Sequence, residues 1–347
     1  MITVTLIIFL LAAILALLPI SSPGKISYIL LGLLGGLLVL VSGFRIGSHF
    51  PDYSSYLILY DDIKTGDVIV EVSFQYIAKF VQLVFDNVLL LFFIYALIGV
   101  SLKIIAIKQL TDLWLLSLVV YIGNFFILHE MIQIRVGVAS GFLLLCIKPI
   151  YDRDWKKFLL FSLLGILFHV SSLIVLPLWF LGNIKKKILI SILVLIIPAA
   201  YVMYFLKVTV LNFIPIPYVQ EKLDLYISLQ ELGEENFLNG INVFNFVYLA
   251  RIVIYYFLLY KSELLAKHNK YILILLSVYG FGLFMYPALA VMPVMATRVS
   301  ELLNVVEIIL FPLFYYTLSP RAASKSVVII WSLGILLINI YKSNLIF

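Results

Sequence analysis

FLLFSLLGILFHVSSLIVLPLWFL, residues 158–181, decides how this chain folds. The run is flanked by two basic stretches, Lys148 to Lys157 before it and Lys185-Lys186-Lys187 after it. One crossing of a membrane would put these stretches on opposite sides, against the tendency of lysine and arginine to stay inside. A run that enters and returns would keep them together. The basic loops Lys103/Lys108, Lys261 to Lys270 and Arg321/Lys325 would then share that side. Each arm would have about 11 residues, too few for a hydrocarbon core of roughly 30 Å. Such a re-entrant hairpin must be buried among other helices or line a wet cavity. Its turn would fall near His169-Val-Ser-Ser172, and Pro177 would help to break the second arm. The alternative is one ordinary span with the charge rule weakly obeyed.

The surrounding composition is that of a membrane protein. The chain is 64% hydrophobic and 12% charged, with mean hydropathy +1.16, which excludes an ordinary soluble domain. Apolar runs fall at about 3–20, 26–44, 87–107, 112–128, 131–148, 188–206, 241–260, 271–286, 301–318 and 326–343, each near the length of a crossing helix. The expected fold is all-α and polytopic, with about 10–12 transmembrane or re-entrant segments. Residues 1–347 read as one integral membrane domain, with no soluble domain, low-complexity tract or repeat. The run Ile2 to Ile20 lacks a basic flank and an Ala-x-Ala site, so it reads as a first span rather than a signal peptide. Cys146 is the only cysteine and reads as a packed thiol, which rules out an internal disulfide. The net charge of +6 comes from lysines at span ends and is not a nucleic-acid signal.

Two acidic loops, 45–86 and 207–240, are placed outside by the same rule, as are both termini. Within the first loop, Glu71 to Val84 is amphipathic at helical spacing and suits a membrane interface. The second loop, with Pro215 and Pro217, reads equally as a mobile cover or a plain connector.

Arginine and histidine follow a different distribution from lysine. Of six arginines only Arg153 and Arg321 fall in inner loops; Arg45, Arg135, Arg251 and Arg298 lie in the outer half of the membrane or at its edge. An arginine inside a bilayer costs roughly 2.5–3.5 kcal/mol on insertion scales, so each is a functional candidate. Its planar fork suits bidentate phosphate binding, and several at one depth point to an anion carrying more than one charge. Each also has a plainer reading. Arg45 can snorkel at a span end, Arg135 can tie to Glu130, and Arg298 can pair with Glu301 one turn on. Arg251 can glue helices together within a stripe of Asn245, Tyr248 and Tyr255. His49, His129 and His169 all fall on the outer side. They stand in separate segments without metal-site spacing, so a base or a neutral donor to phosphate or sugar fits better than zinc. His129 and Gln133 share a helix face, and Gly137 and Gly141 would let another helix approach closely.

The order Arg45-x-Gly47, Asp52-Tyr53, Tyr56, Glu71, Gln133-Ile-Arg135-x-Gly-x-Ala139 and Phe168-His169-x-Ser171-Ser-Leu-Ile174 resembles the EpsG family of Wzy-type bacterial polysaccharide polymerases. The likeness is strongest over 40–180 and extends loosely to Arg298–Glu301. Residues Ser48 to Pro51 stretch the usual spacing before Asp52. The resemblance implies a glycosyltransferase-C-like fold in the bacterial cytoplasmic membrane, its active site facing the periplasm or exterior. It also implies an enzyme joining undecaprenyl-pyrophosphate-linked oligosaccharide repeat units without metal or cofactor. Arg45, Arg135 and Arg298, with Arg251 deeper, would bind pyrophosphate. His169, Asp52 and Glu71 are the candidate bases, and His49, Tyr53, Tyr56, His129, Gln133 and Glu301 would contact glycan. The lipid bilayer, a chain-length regulator and a lipid-linked glycan flippase are the partners this reading brings in, with no nucleic acid. An O-antigen ligase would use the same clamp on another acceptor. A flippase or transporter would need polar groups facing both sides.

Overall fold

A computed structural model of the chain describes residues 1–18, 25–45, 47, 50–66, 70–213 and 241–343. His49 and residues 214–240 of the second acidic loop lie outside them. Among the described residues every regular element is helical and there is no strand. That follows from the solvent: in hydrocarbon a helix satisfies its backbone polar groups internally, whereas an open strand edge cannot.

Five helices are long and apolar enough to cross a membrane: Val88–Leu110, Trp114–Ile132, Ile134–Asp152, Lys186–Phe205 and Arg321–Lys342. Shorter apolar helices include Ile2–Leu17, Phe246–Tyr260 and Ile272–Ala288. Ile2–Leu17 turns its small residues Ala12, Ala13 and Ala16 inward and leaves Ile7, Leu10 and Ile14 exposed on a face suited to lipid. Trp114–Ile132 is the opposite case, buried at nearly every position. Its second half, Tyr121–Ile132, is wound as a π-helix. Glycines permit close packing around this centre: an added Cβ on Gly123 would collide with Ser332, on Gly137 with the His129 carbonyl, and on Gly141 with Leu102.

The 158–181 run doubles back. Helix Trp155–Phe168 ends at His169, whose extended backbone (φ −157°, ψ 124°) turns the chain into the 3-10 helix Val170–Asn183. The arms lie side by side: the Phe158 and Trp179 rings are 5.1 Å apart, and Gly165 sits against Ser172. At the open end Arg153 stacks on Trp179 at 4.1 Å and donates to its carbonyl at 2.8 Å. The chain therefore leaves the hairpin beside the point where it entered.

The basic loops gather at that same end. Lys186 pairs with Glu263 at 3.2 Å, Tyr151 packs on Tyr271, and Asn269 donates to the Leu110 carbonyl at 2.7 Å. His268 stacks on Tyr316 at 3.9 Å, and Lys325 caps the carbonyl of Leu18 at 3.1 Å. Lys103 is a correction to its expected place in a basic loop. It lies inside Val88–Leu110, wholly buried, with Nζ 2.6 Å from Glu130 Oε1 and 2.7 Å from the Gly137 carbonyl. The Tyr121 hydroxyl donates to the same carboxylate oxygen at 2.9 Å. A lysine at a helix end reads as a topology signal in sequence, but a counter-ion on the next helix draws this one inward.

At the opposite end, helices Tyr53–Thr65 and Val72–Val84 cover the bundle. The second buries Phe74, Ala78 and Val81 while Tyr76, Phe80 and Leu83 face outward, a surface for a lipid interface. The segment 293–316 is broken into Pro293–Asn304, Glu307–Leu310 and the 3-10 turn Phe311–Tyr316.

In a Cys146→Ser background, Lys156→Cys, Lys187→Cys and Lys267→Cys should react with an impermeant thiol reagent from one side only. Labelling of position 187 from the other side would break the shared basic end. Lys103→Met should destabilise the protein by about 3–5 kcal/mol in a denaturant titration, because it strands the buried Glu130 charge. Adding Glu130→Gln should restore part of that loss.

Candidate active site

Four chain segments meet at the acidic end of the bundle, and a break in helical winding aims two of the key side chains. The π-helix stops at Gln133 (φ −97°, ψ 62°), and Ile134–Asp152 begins at once. Gln133 turns its amide to Glu301 of the Pro293–Asn304 helix, with Nε2 3.2 Å from Oε2. Arg135, two residues on, turns to Glu71 and makes an ion pair through Nη1. Its guanidinium also lies 5.6 Å from the Tyr56 ring and 5.8 Å from that of Phe74.

Glu71 starts the Val72–Val84 helix, where the helix dipole favours an anion. Its second oxygen, Oε1, is 2.8 Å from His169 Nδ1 at the tip of the hairpin. An ionised carboxylate only accepts, so Nδ1 carries the proton and donates to it. In the neutral ring Nε2 is then the acceptor, 3.2 Å from the Ser171 hydroxyl. Burial by itself would raise Glu71, but the His169 hydrogen bond and the Arg135 charge outweigh it and hold the carboxyl at about 2, against an ordinary 4.5. The result is a continuous chain from Arg135 through Glu71 and His169 to Ser171. It orients the imidazole and turns Nε2 away from Glu71.

Asp52 stands at the start of helix Tyr53–Thr65. Burial pushes its carboxyl above the usual range while the charges of Arg298 and Arg135 pull it back. Arg298 is half-exposed and has no ion-pair partner among the described residues. The simple Arg298–Glu301 pair open in the sequence is thus absent there, Glu301 being held by Gln133.

The other candidates are placed as follows. Arg45 is wholly buried, 3.9 Å above the Phe92 ring, and Nη1 donates to the carbonyls of Ser42 (2.9 Å) and Glu130 (3.3 Å). Its Nε and Nη2 have no hydrogen-bond partner among the described residues. Tyr53 and Tyr56 are buried in the aromatic packing over it, Tyr53 on Phe92 at 5.3 Å and Tyr56 on Phe74 at 5.9 Å. His129 is buried away from Arg135, against Ser140 at 3.2 Å and Phe125. Glu130, weighed above as a partner for Arg135, belongs to Lys103 instead. Arg251 faces Glu307, with Nε 2.9 Å from Oε1 but off the line of a hydrogen bond, and Nη2 3.5 Å from Oε2. In its stripe, Tyr248 and Tyr255 donate to the carbonyls of Leu283 and Leu193, which ties helices together. Cys146 packs beside Ser162.

Sequence reasoning passed over Ser171 as a partner for His169, and also Lys103 and Glu307. Glu307 had a usable signal, an acidic residue within an apolar run. Ser171 stood in the Phe168-His169-x-Ser171 element, but its contact with Nε2 depends on the hairpin turn.

Fold and site together define a polytopic helical membrane protein with a charged, hydrogen-bonded centre at one end of the bundle. The chain belongs to the EpsG family: the family's sequence model matches residues 28–346, nearly the whole chain, and the family is associated with polysaccharide polymerases. No curated protein and no solved structure matches it.

A carboxyl held below its unfolded value contributes stability that is present at neutral pH. That contribution drains away as pH falls from about 4.5 towards about 2. Thermal-unfolding curves of the wild type should show this acid-dependent loss, and Glu71→Gln should flatten it while lowering stability at pH 7. Equal slopes in the two proteins would mean that the Arg135–Glu71–His169 set contributes nothing.

Proposed function

We propose that the protein is a polymerase that joins undecaprenyl-pyrophosphate-linked oligosaccharide repeat units at the outer face of the bacterial cytoplasmic membrane. The observation that carries this reading is the Arg135–Glu71–His169–Ser171 chain, with Arg298 close to Asp52 and without an ion-pair partner among the described residues. Family membership supplies the reaction class.

The chemistry needs two things from the protein. One is a base for the acceptor sugar hydroxyl, and His169 Nε2 serves. Ser171 Oγ marks where an acceptor hydroxyl would lie. As the hydroxyl oxygen attacks the donor's anomeric carbon, its proton passes to Nε2. Glu71, fixed on Nδ1–H, stabilises the imidazolium that forms. The other need is positive charge for the leaving group. The bond from the anomeric carbon to the pyrophosphate oxygen breaks, and its electron pair goes to the pyrophosphate. Arg135 and Arg298 lie where they can take up that charge. Arg45, sealed beneath Tyr53 and Tyr56, adds positive potential from below, and its unpartnered Nε and Nη2 are ready donors once those rings part. Arg251 is committed to Glu307 and stands apart from this step. Asp52 is the second candidate base; the two arginines that press on it favour a role in positioning. The basic end faces the cytoplasm, as the positive-inside rule requires, and the centre faces out.

Purified protein reconstituted with undecaprenyl-pyrophosphate-linked repeat units should lengthen them into a ladder on a gel. Arg135→Ala should slow elongation by about 10²–10³-fold. Arg135→Lys should recover only part, since a lysine keeps the charge but loses the fork. Undiminished ladders from Arg135→Ala would sink the reading. Normal chain length with failed transfer to a lipid core in cells would favour a ligase.

A further inference from the structure

A second polar space lies beyond Glu301, bounded by the π-helical stretch and by helices Phe246–Tyr260, Pro293–Asn304 and Arg321–Lys342. We infer that this cavity is a subsite for one uncharged sugar ring of the substrate, next to the ring that reacts; the inference rests on the polymerase reading above.

Size sets the first limit. The cavity measures about 160 Å³, close to the ~150 Å³ of an apolar cavity that encloses benzene. Space on that scale suits one sugar ring better than several.

Charge sets the second. Arg251 and Lys342 line the cavity, and Glu301 lines it with them. Glu307, behind Arg251, completes two cations and two anions. The formal charge is zero. A pyrophosphate or a uronate would meet as much repulsion as attraction.

Hydrogen bonding sets the third. Asn124 is buried, and its Nδ2 donates to Glu307 Oε2 at 2.7 Å. An ionised carboxylate cannot donate, so that amide orientation is fixed, and Asn124 Oδ1 has no partner among the described residues. Asn304, also buried, spends one end of its amide on the Ser300 hydroxyl at 3.1 Å, which can donate or accept. Both residues line the cavity. A buried acceptor without a partner, as at Asn124, is costly, and it calls for a ligand that brings O–H or N–H donors. A fully ionised pyrophosphate has none to offer, whereas a sugar has several; between a neutral sugar and a uronate the choice falls to charge. Tyr248 and Tyr286, their rings 4.7 Å apart, give the cavity an aromatic wall for the C–H face of a pyranose. Gln133 links this space to the reacting centre, for it holds Glu301 while Arg135, two residues away, holds Glu71.

The test is saturation-transfer NMR on full-length protein in lipid nanodiscs. The probes are methyl glucopyranoside, methyl galactopyranoside, methyl N-acetylglucosaminide, a methyl uronoside and inorganic pyrophosphate. At least one neutral glycoside should bind in preference to the uronoside, and excess pyrophosphate should not displace it. Val247→Phe, which grows into the cavity, and Asn304→Leu, which removes a polar amide from its wall, should each weaken it by about tenfold. Wild-type preference needs no variant, so a misfolded variant cannot rescue the idea. No binding by any neutral glycoside, preference for the uronoside, displacement by pyrophosphate, or full binding in both folded variants overturns the subsite. If elongation still depends on Arg135 in that case, the polymerase reading stands without it. Cavity-dependent sugar binding in a protein whose elongation ignores Arg135 would keep the subsite and discard the reaction assigned to the neighbouring centre.

Discussion

A charge held within hydrocarbon costs several kcal/mol unless a counter-ion touches it, and this requirement organises the bundle. Three ion pairs meet it, and each joins separate chain segments. Lys103–Glu130 fixes Val88–Leu110 to the π-helical stretch. Arg251–Glu307 fixes Phe246–Tyr260 to the broken segment after Asn304. Arg135–Glu71 fixes the start of Ile134–Asp152 to the helix that covers the acidic end. Lys103–Glu130 is sealed, whereas Arg135 and Arg251 each keep about a fifth of their side chains exposed. Of the three pairs, Arg135–Glu71 is the one whose carboxylate also holds a histidine.

The hairpin depends on the same economy of polar groups. Arg153 closes it at its base through a carbonyl bond and an aromatic face, and His169 is held at its tip by Glu71. A histidine at the turn of an otherwise apolar run is thus fixed from another helix. Its backbone is extended there, and its ring reaches Glu71 on one side and Ser171 on the other.

Much of this was legible in the sequence. Among the described residues five of the ten apolar runs became helices long enough to cross, and 301–318 broke into short pieces instead. Loop charge pointed to one basic end. Run length and charge can be read this way because they are set by transfer from water to hydrocarbon and are local in the chain. Single residues were harder. Lys103 and Lys108 look alike in sequence, yet the first is drawn inward by Glu130 and the second is not. Arg135 and Glu130 are close in sequence, but the break at Gln133 turns Arg135 towards a residue 64 positions away. Pairing across segments depends on how helices rotate against one another, and periodicity does not encode that. Tyr53 and Tyr56 show the same gap: suited to stacking on a sugar, they spend their faces on Phe92 and Phe74.

The hairpin has a consequence for how far a local change can reach. Helix Trp155–Phe168 carries His169 at its end, and its two arms are matched along their length by the Phe158–Trp179 contact, by Gly165 against Ser172 and by the Arg153 bond to Trp179. The position of the imidazole is therefore set by contacts at the basic end as well as by Glu71. A bulkier side chain at 165, or loss of the Arg153 clasp, would tilt one arm on the other and carry the ring away from its carboxylate although neither residue touches it.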